Sequence, residues 1–285
     1  MIERICIVGV GLIGGSLALA LKKAGFCRHV VGAGRNPRRL QKAVDLGVID
    51  SFETDYAKAA SHAELIFVAV PLGSMEEVFR KMAPGLHSDT IITDGGSAKV
   101  SVIEAARSGL GSKLRQFVPG HPIAGTEQSG VEAAFDSLYE KRRVIVTPQE
   151  NNRREDVEQV IAMWQAAGAE VDEMGARHHD LVLAGTSHLP HLLAFGLVDC
   201  LNQVDDVDEI FRFAAGGFRD FTRIASSDPV MWRDICLANG DAILAMVERF
   251  ESEMSSIKAA VTAGDGEALL QIFSQAKAAR DKFCM

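Results

Sequence analysis

The residues best suited to chemistry stand in two short stretches. One is GHPIAGTEQSG, residues 120–130, where His121 sits between a glycine and Pro122 and ahead of Glu127. The other is GVGLIGGSLA, which begins at Gly9. A neutral imidazole accepts a proton at one ring nitrogen while a neighbouring group holds the other. Ser97, in DGGSAK (94–99), follows a strand-like run just as His121 does, and its hydroxyl is the neighbour expected to hold His121 in one tautomer. A blander reading is that the ring only satisfies backbone groups in an irregular loop rich in glycine and proline. Taken alone, these residues leave both readings open.

The second stretch contains Gly9-x-Gly11-x-x-Gly14 directly after a strand-like run and at the opening of a helical one. That is the context a dinucleotide fingerprint needs. Gly9 permits the tight turn, Gly11 lets the backbone approach a pyrophosphate, and Gly14 lets helix and strand pack closely. Leu12 and Ile13 then open the helix whose free N–H groups face the phosphates. An NAD site carries Asp or Glu about 20 residues on, bonded to the ribose 2′-OH. Here Gly34 stands at that place, followed by Arg35, Asn36, Arg38 and Arg39. With no carboxylate to repel a 2′-phosphate and guanidiniums to pair with one, NADP is expected in preference to NAD. Val70, Pro71 and Asp94, at the ends of two further strand-like runs, complete the expected cofactor set.

These residues must be positioned by a scaffold. Short β-branched runs at 4–10, 29–34, 65–71, 90–96, 116–120, 142–148 and 169–175 read as strands. Amphipathic segments at 12–25, 38–47, 75–86, 100–110 and 153–168 read as helices between them. This alternation predicts an α/β fold: an N-terminal Rossmann doubly wound parallel sheet. Beyond residue 176 the strand signals fade, and 178–203, 229–238, 240–262 and 266–282 read as helices, the first with Pro190 inside it. The expected division is a nucleotide-binding domain over 1–172 and an all-α substrate and dimerisation domain over 173–285.

Composition narrows the classes. The chain has 285 residues, 47% hydrophobic and 24% charged, as in soluble globular proteins. A net charge of -8 argues against a nucleic-acid partner. Cys6, Cys27, Cys200, Cys236 and Cys284 are scattered, so reduced thiols and a cytoplasmic location are expected. The N-terminus does not read as a signal peptide, and the uninterrupted apolar runs are too short for a bilayer. His188 and His191 share a helix face but lack a third ligand, so no metal site is expected.

The segments GVGLIGGSLALAL, DGGSAK, GHPIAGTEQSG, TSHLPHLLAFGLVD and GFRDFTRIASSDPVMWRDI (217–235) resemble the prephenate and arogenate dehydrogenases of tyrosine biosynthesis. They run in order from residue 4 to about 240, so the resemblance covers most of the chain. GxGxxG is generic, whereas GHPIAG, SHLPH and GFRDFTRIASSDPVMW are highly specific. The resemblance implies oxidative decarboxylation of a cyclohexadienyl substrate by a homodimer. It makes His121 the acceptor of the ring hydroxyl's proton and Ser97 its partner. It assigns Arg223 to a substrate carboxylate, Ser187, His188 and His191 to the pocket face of the long helix, Glu127 and Asp220 to gating and pocket ordering, and Trp232 to the pocket wall. The family's NAD members carry an acid where Gly34 stands. Neither a mutase segment nor a regulatory domain is expected.

Two other readings compete. One is a dehydrogenase of the β-hydroxyacid type, with Lys99 as acid/base. The other is a nucleotide-binding regulator without turnover, against which an intact His121, Ser97 and Arg223 argue. Without the resemblance, Trp232 would read as core and the arginines as a solvated face.

Overall fold

The computed structural model describes residues 1–283, so Cys284 lies outside the described residues. Packing groups the chain into two units, Met1–Gly240 and Asp241–Met285.

In the first unit, strands β1 (Ile2–Val8), β2 (Cys27–Ala33), β3 (Ser51–Glu53), β4 (Leu65–Val68) and β5 (Ile91–Asp94) form a parallel sheet of order β3-β2-β1-β4-β5. The alternation of side chains along β1 builds both layers. Ile5 and Ile7 pack with Leu17 and Leu21 of the helix Leu12–Lys23. Cys6 and Val8 face the other way, onto Val78 and Phe79 of the helix Met75–Met82. Burial on both faces explains the nearly continuous apolar strands. It also pushes the Cys6 thiol up to about 12, so that it is inert.

A second sheet follows, with β6 (Gly120–Pro122), β7 (Arg143–Val146) and β8 (Glu170–Glu173) in that order, β6 antiparallel and β8 parallel to β7. The expected strand over 116–120 is thus displaced. Residues Gly111–Gln116 form a 3₁₀ turn, Phe117 makes a single bridge to Ile92, and the strand starts at Gly120. His121 therefore lies within a strand, opposite Ile145, and the irregular loop begins after it. Pro122 is tolerated because β6 is an edge strand.

The long helical pattern spans Ala176–Asn202 and by length and composition alone is long and apolar enough to cross a membrane. Its buried face carries His179, Asp180 and His188. It is two α segments, Ala176–Leu183 and Leu189–Asn202, separated by a π turn at Ala184–His188. Pro190 lacks the N–H an unbroken α-helix would donate to the carbonyl four residues back, and π turns of this kind accompany functional sites. The short helices Val207–Arg212 and Gly216–Thr222 and the helix Pro229–Ala238 complete this unit. The second unit is built from the helix Gly240–Ala263, whose first residue ends the first unit, and the helix Gly266–Phe283, with the turn between them at Gly264, φ 66°.

Candidate active site

The glycine motif is built as a phosphate cradle. Gly9 has φ 92°, and a Cβ there would strike the Ala69 carbonyl oxygen. A Cβ on Gly14 would strike the Gly9 carbonyl oxygen, whereas one on Gly11 would enter open space. Gly11 caps the helix Leu12–Lys23 without a side-chain bond, and no acid stands in its first turn, so its N–H groups remain for an anion. These features fit a dinucleotide's pyrophosphate.

At the ends of β2 and β4, Arg35, Tyr56, Val70, Pro71, Glu77 and Lys81 line one cleft. Arg35 is exposed, and Lys81 is paired with Glu77 at 2.6 Å. Asn36 serves the fold: its Oδ1 accepts the Arg38 and Arg39 N–H groups at 3.0 and 3.2 Å, capping the helix Pro37–Asp45.

Asp94 has a different place from the one expected. It is fully buried, and its carboxylate accepts the Gly96 N–H at 2.7 Å, the Gly120 N–H at 3.0 Å and Lys99 Nζ at 2.6 Å. Lys99, also fully buried, donates in addition to the Gly120 carbonyl at 2.6 Å. The pair thus grips both backbone polar groups of the residue before His121. Burial lowers the Lys99 pKa against the opposing pull of Asp94 and Asp180. An ammonium with two acceptors and no exposure is poorly placed to exchange protons with a substrate.

The partner of His121 is His179 rather than Ser97. His121 Nδ1 lies 2.8 Å from His179 Nε2, and His179 Nδ1 lies 2.8 Å from Asp180 Oδ1. Asp180 also accepts the Lys99 and Val100 N–H groups at 2.7 and 2.9 Å, at the start of the helix Lys99–Leu110. Burial opposes ionisation of Asp180, but the hydrogen bonds from His179, Lys99 and Val100 outweigh it and hold the pKa below the ordinary value. A carboxylate only accepts, so His179 carries its proton on Nδ1 and accepts at Nε2. His121 must then donate from Nδ1, which leaves a lone pair on its Nε2. Burial first, then His179, Lys99 and His188, depress the His121 pKa well below its usual value, so the ring is neutral at neutral pH.

A second group stands beside this chain. His188 Nδ1 lies 3.1 Å from Asn239 Nδ2, which also donates to the Asp180 carbonyl at 2.9 Å. Burial lowers His188 to about 4, with Asp180 opposing, His179 and His191 adding, and the Ser97 main chain opposing. His191 Nδ1 donates to the Ser187 carbonyl at 2.8 Å, and its ring stacks on Trp232 with centroids 3.8 Å apart. Arg223 is paired with Glu127, and its side chain is 63% exposed. Asp220 is exposed on the helix Gly216–Thr222.

His179, Asp180 and Asn239 escape sequence reasoning. The one local signal is the dipeptide His179-Asp180, where a base adjoins an acid, but two polar neighbours on a helix ordinarily face water.

Residues 17–173 match the model of the prephenate dehydrogenase nucleotide-binding domain, and residues 175–275 that of the prephenate dehydrogenase dimerization domain. The chain belongs to the prephenate dehydrogenase family. It is 37% identical over 284 residues to the cyclohexadienyl dehydrogenase of Zymomonas mobilis, covering 98% of this chain and 95% of that one. It is 38% identical to the prephenate dehydrogenase of Bacillus subtilis, covering 99% of this chain and 76% of the relative. The crystal structure of the Aquifex aeolicus prephenate dehydrogenase with hydroxyphenyl propionate and NAD+ superposes with a TM-score of 0.92, at 38% identity and 99% coverage of both chains. The Rossmann-type first half and helical remainder are therefore those of the family, and Lys99 as a β-hydroxyacid acid/base finds no support in its buried ion pair.

Proposed function

We propose that this member of the prephenate dehydrogenase family catalyses the oxidative decarboxylation of prephenate, arogenate or both, giving 4-hydroxyphenylpyruvate or tyrosine. The observation that carries the residue assignment is the orientation of His121, whose Nε2 lone pair is set by His179 and Asp180. His121 accepts the hydrogen bond of the substrate's 4-hydroxyl and then its proton. When bound, the nicotinamide supplies the hydride acceptor for C4. Carbon dioxide leaves C1 and the ring becomes aromatic, which makes the step practically irreversible. Ser97 borders the reacting groups, and Ser187, His191 and Trp232 form the wall of the substrate pocket. Steady-state kinetics with both substrates test the reading. Turnover of neither would overturn it.

Arg223 holds a substrate carboxylate, which must displace Glu127 from it; Asp220 orders the same region. Arg223→Ala is expected to raise the substrate KM on the order of 10–100-fold, as for loss of a hydrogen bond to a charged group. The cofactor KM should stay nearly unchanged. Equal losses for both ligands would make Arg223 structural.

Arg35 supports NADP over NAD, with Gly34, Arg38 and Arg39 beside it. Glu77, the carboxylate in the same cleft, is paired with Lys81. A Cβ at Gly34 would meet only Leu40, at 3.7 Å or more, so Gly34→Asp fits without strain. We expect wild-type kcat/KM to favour NADP+ and Gly34→Asp to shift the ratio toward NAD+ by roughly tenfold or more, through repulsion of the 2′-phosphate. A wild-type preference for NAD+ would refute the argument.

The functional division falls at 172/173, just before the end of β8, although packing carries the first unit to Gly240. The helical part forms a homodimer, a reading supported by the match to a dimerization domain and by exposed Leu244, Leu270 and Phe273. Free thiols at Cys6, Cys27, Cys200 and Cys236 support a cytoplasmic location.

A further inference from the structure

We propose that Asn239 is a positioning residue that fixes His188 as its Nε2–H tautomer, so that His188 donates a hydrogen bond to a carboxylate or carbonyl oxygen of the substrate while His121 remains an acceptor. The inference rests on the dehydrogenase reading only for the identity of that oxygen.

The tautomer follows from the partners. Asn239 sits at the end of the helix Pro229–Ala238 and is buried, with 6% exposure. One atom of its amide lies 2.9 Å from the Asp180 carbonyl oxygen, which can only accept, so that atom is the nitrogen. The same nitrogen lies 3.1 Å from His188 Nδ1. An amide nitrogen has two hydrogens and no acceptor capacity, so Nδ1 must offer a lone pair. The neutral ring then carries its proton on Nε2.

Among the described residues that N–H finds no acceptor in full hydrogen-bond geometry. His188 is 1% exposed, and its Nε2 has no hydrogen-bond partner. The Ser97 main chain approaches the ring closely enough to favour its protonated form, in a contact that falls short of full hydrogen-bond geometry at Nε2 and leaves that donor available to a ligand. A buried donor left unpaired is destabilising, and such groups in native structures call for a ligand or water. The Trp232 indole N–H, whose ring lies 6.1 Å from that of His188, is likewise unpartnered. Two unpartnered donors on neighbouring rings suit an oxygen-bearing ligand.

Asp180 is the common root of both orientations. Its carboxylate sets His179 and through it His121; its carbonyl sets Asn239 and through it His188. One residue thereby gives the two histidines opposite senses: a lone pair at Nε2 of His121 and a proton at Nε2 of His188.

The test is a long-range ¹H–¹⁵N correlation spectrum of the full-length chain labelled at histidine nitrogens, which distinguishes protonated from bare ring nitrogens without turnover. His188→Leu assigns the signals. The expected result is a proton on Nε2 of His188 in the wild type and its loss or transfer to Nδ1 in Asn239→Asp, whose carboxylate only accepts. In kinetics, Asn239→Leu should raise the substrate KM on the order of 10–100-fold, with the cofactor KM unchanged and no further rise in a His188→Leu background. His188→Gln, whose amide still donates, should retain more affinity than His188→Leu. A proton on Nδ1 in the wild type, or independent multiplying effects of Asn239→Leu and His188→Leu, would overturn the proposal. Because the spectrum requires no substrate, it decides the tautomer even if no cyclohexadienyl compound is turned over.

Discussion

His121→Asn should lower kcat by roughly 10²–10⁴-fold, the usual contribution of a positioned base, while substrate KM changes little. Asparagine keeps a hydrogen-bonding side chain but cannot take the proton of the 4-hydroxyl. The wild-type pH profile should have an acid limb, because protonation of Nε2 removes the acceptor. Burial and the neighbouring His179, Lys99 and His188 depress the His121 pKa. Activity is therefore full above the ordinary histidine value of about 6.5 and is lost only as pH falls through the lower, folded-state pKa. In His121→Asn that limb should vanish. An unchanged limb in the variant would assign the ionisation elsewhere, with His188 and His191 the next candidates.

Lys99→Met should destabilise the protein by about 3–5 kcal/mol, the cost of leaving one member of a buried ion pair alone. Lys99 and Asp94 are both without exposure, and removal of the ammonium leaves the Asp94 carboxylate buried with, among the described residues, the two N–H donors of Gly96 and Gly120. The Gly120 carbonyl loses its partner as well, which loosens the strand that aims His121. The double variant Asp94→Asn/Lys99→Met should recover part of the stability, because no orphan charge remains. Denaturant unfolding of the three proteins measures this. A Lys99→Met protein as stable as wild type but without turnover would instead return Lys99 to the role of a proton donor.

The scaffold was largely legible because its signals are local. The strands β1, β2, β4 and β5 are apolar runs ended by Gly, Pro or Asp, and the helices between them show their periodicity within one segment. The elements that escaped are short: Ser51–Glu53, Tyr56–Ala60, Val207–Arg212 and Gly216–Thr222 offer too few residues for a period. The glycine cradle was readable because each glycine answers a local backbone demand. His121 was readable as a chemical group but not as part of a strand, since its pairing with Ile145 depends on a distant segment. The residues that orient it were hidden for the same reason. His179 and Asp180 reach partners 58 and 81 residues away, and Asn239 reaches one 59 residues away. Ser97 was the nearer candidate on the sequence, but tertiary packing brings His179 to the ring instead. Asp94 looked like a strand-end ligand residue; only the fold reveals that its carboxylate is already shared among Gly96, Lys99 and Gly120.

Hydride removal at C4 of a cyclohexadienyl substrate is coupled in this chain to loss of the ring carboxylate. The most direct measurement is the stoichiometry of the purified protein acting on prephenate and on arogenate with NADP+ or NAD+. Labelled carbon dioxide, reduced nicotinamide and aromatic product should be followed together. Equal amounts of all three are expected with at least one substrate. Reduced nicotinamide without carbon dioxide, or nucleotide binding with none of the three products, would contradict it.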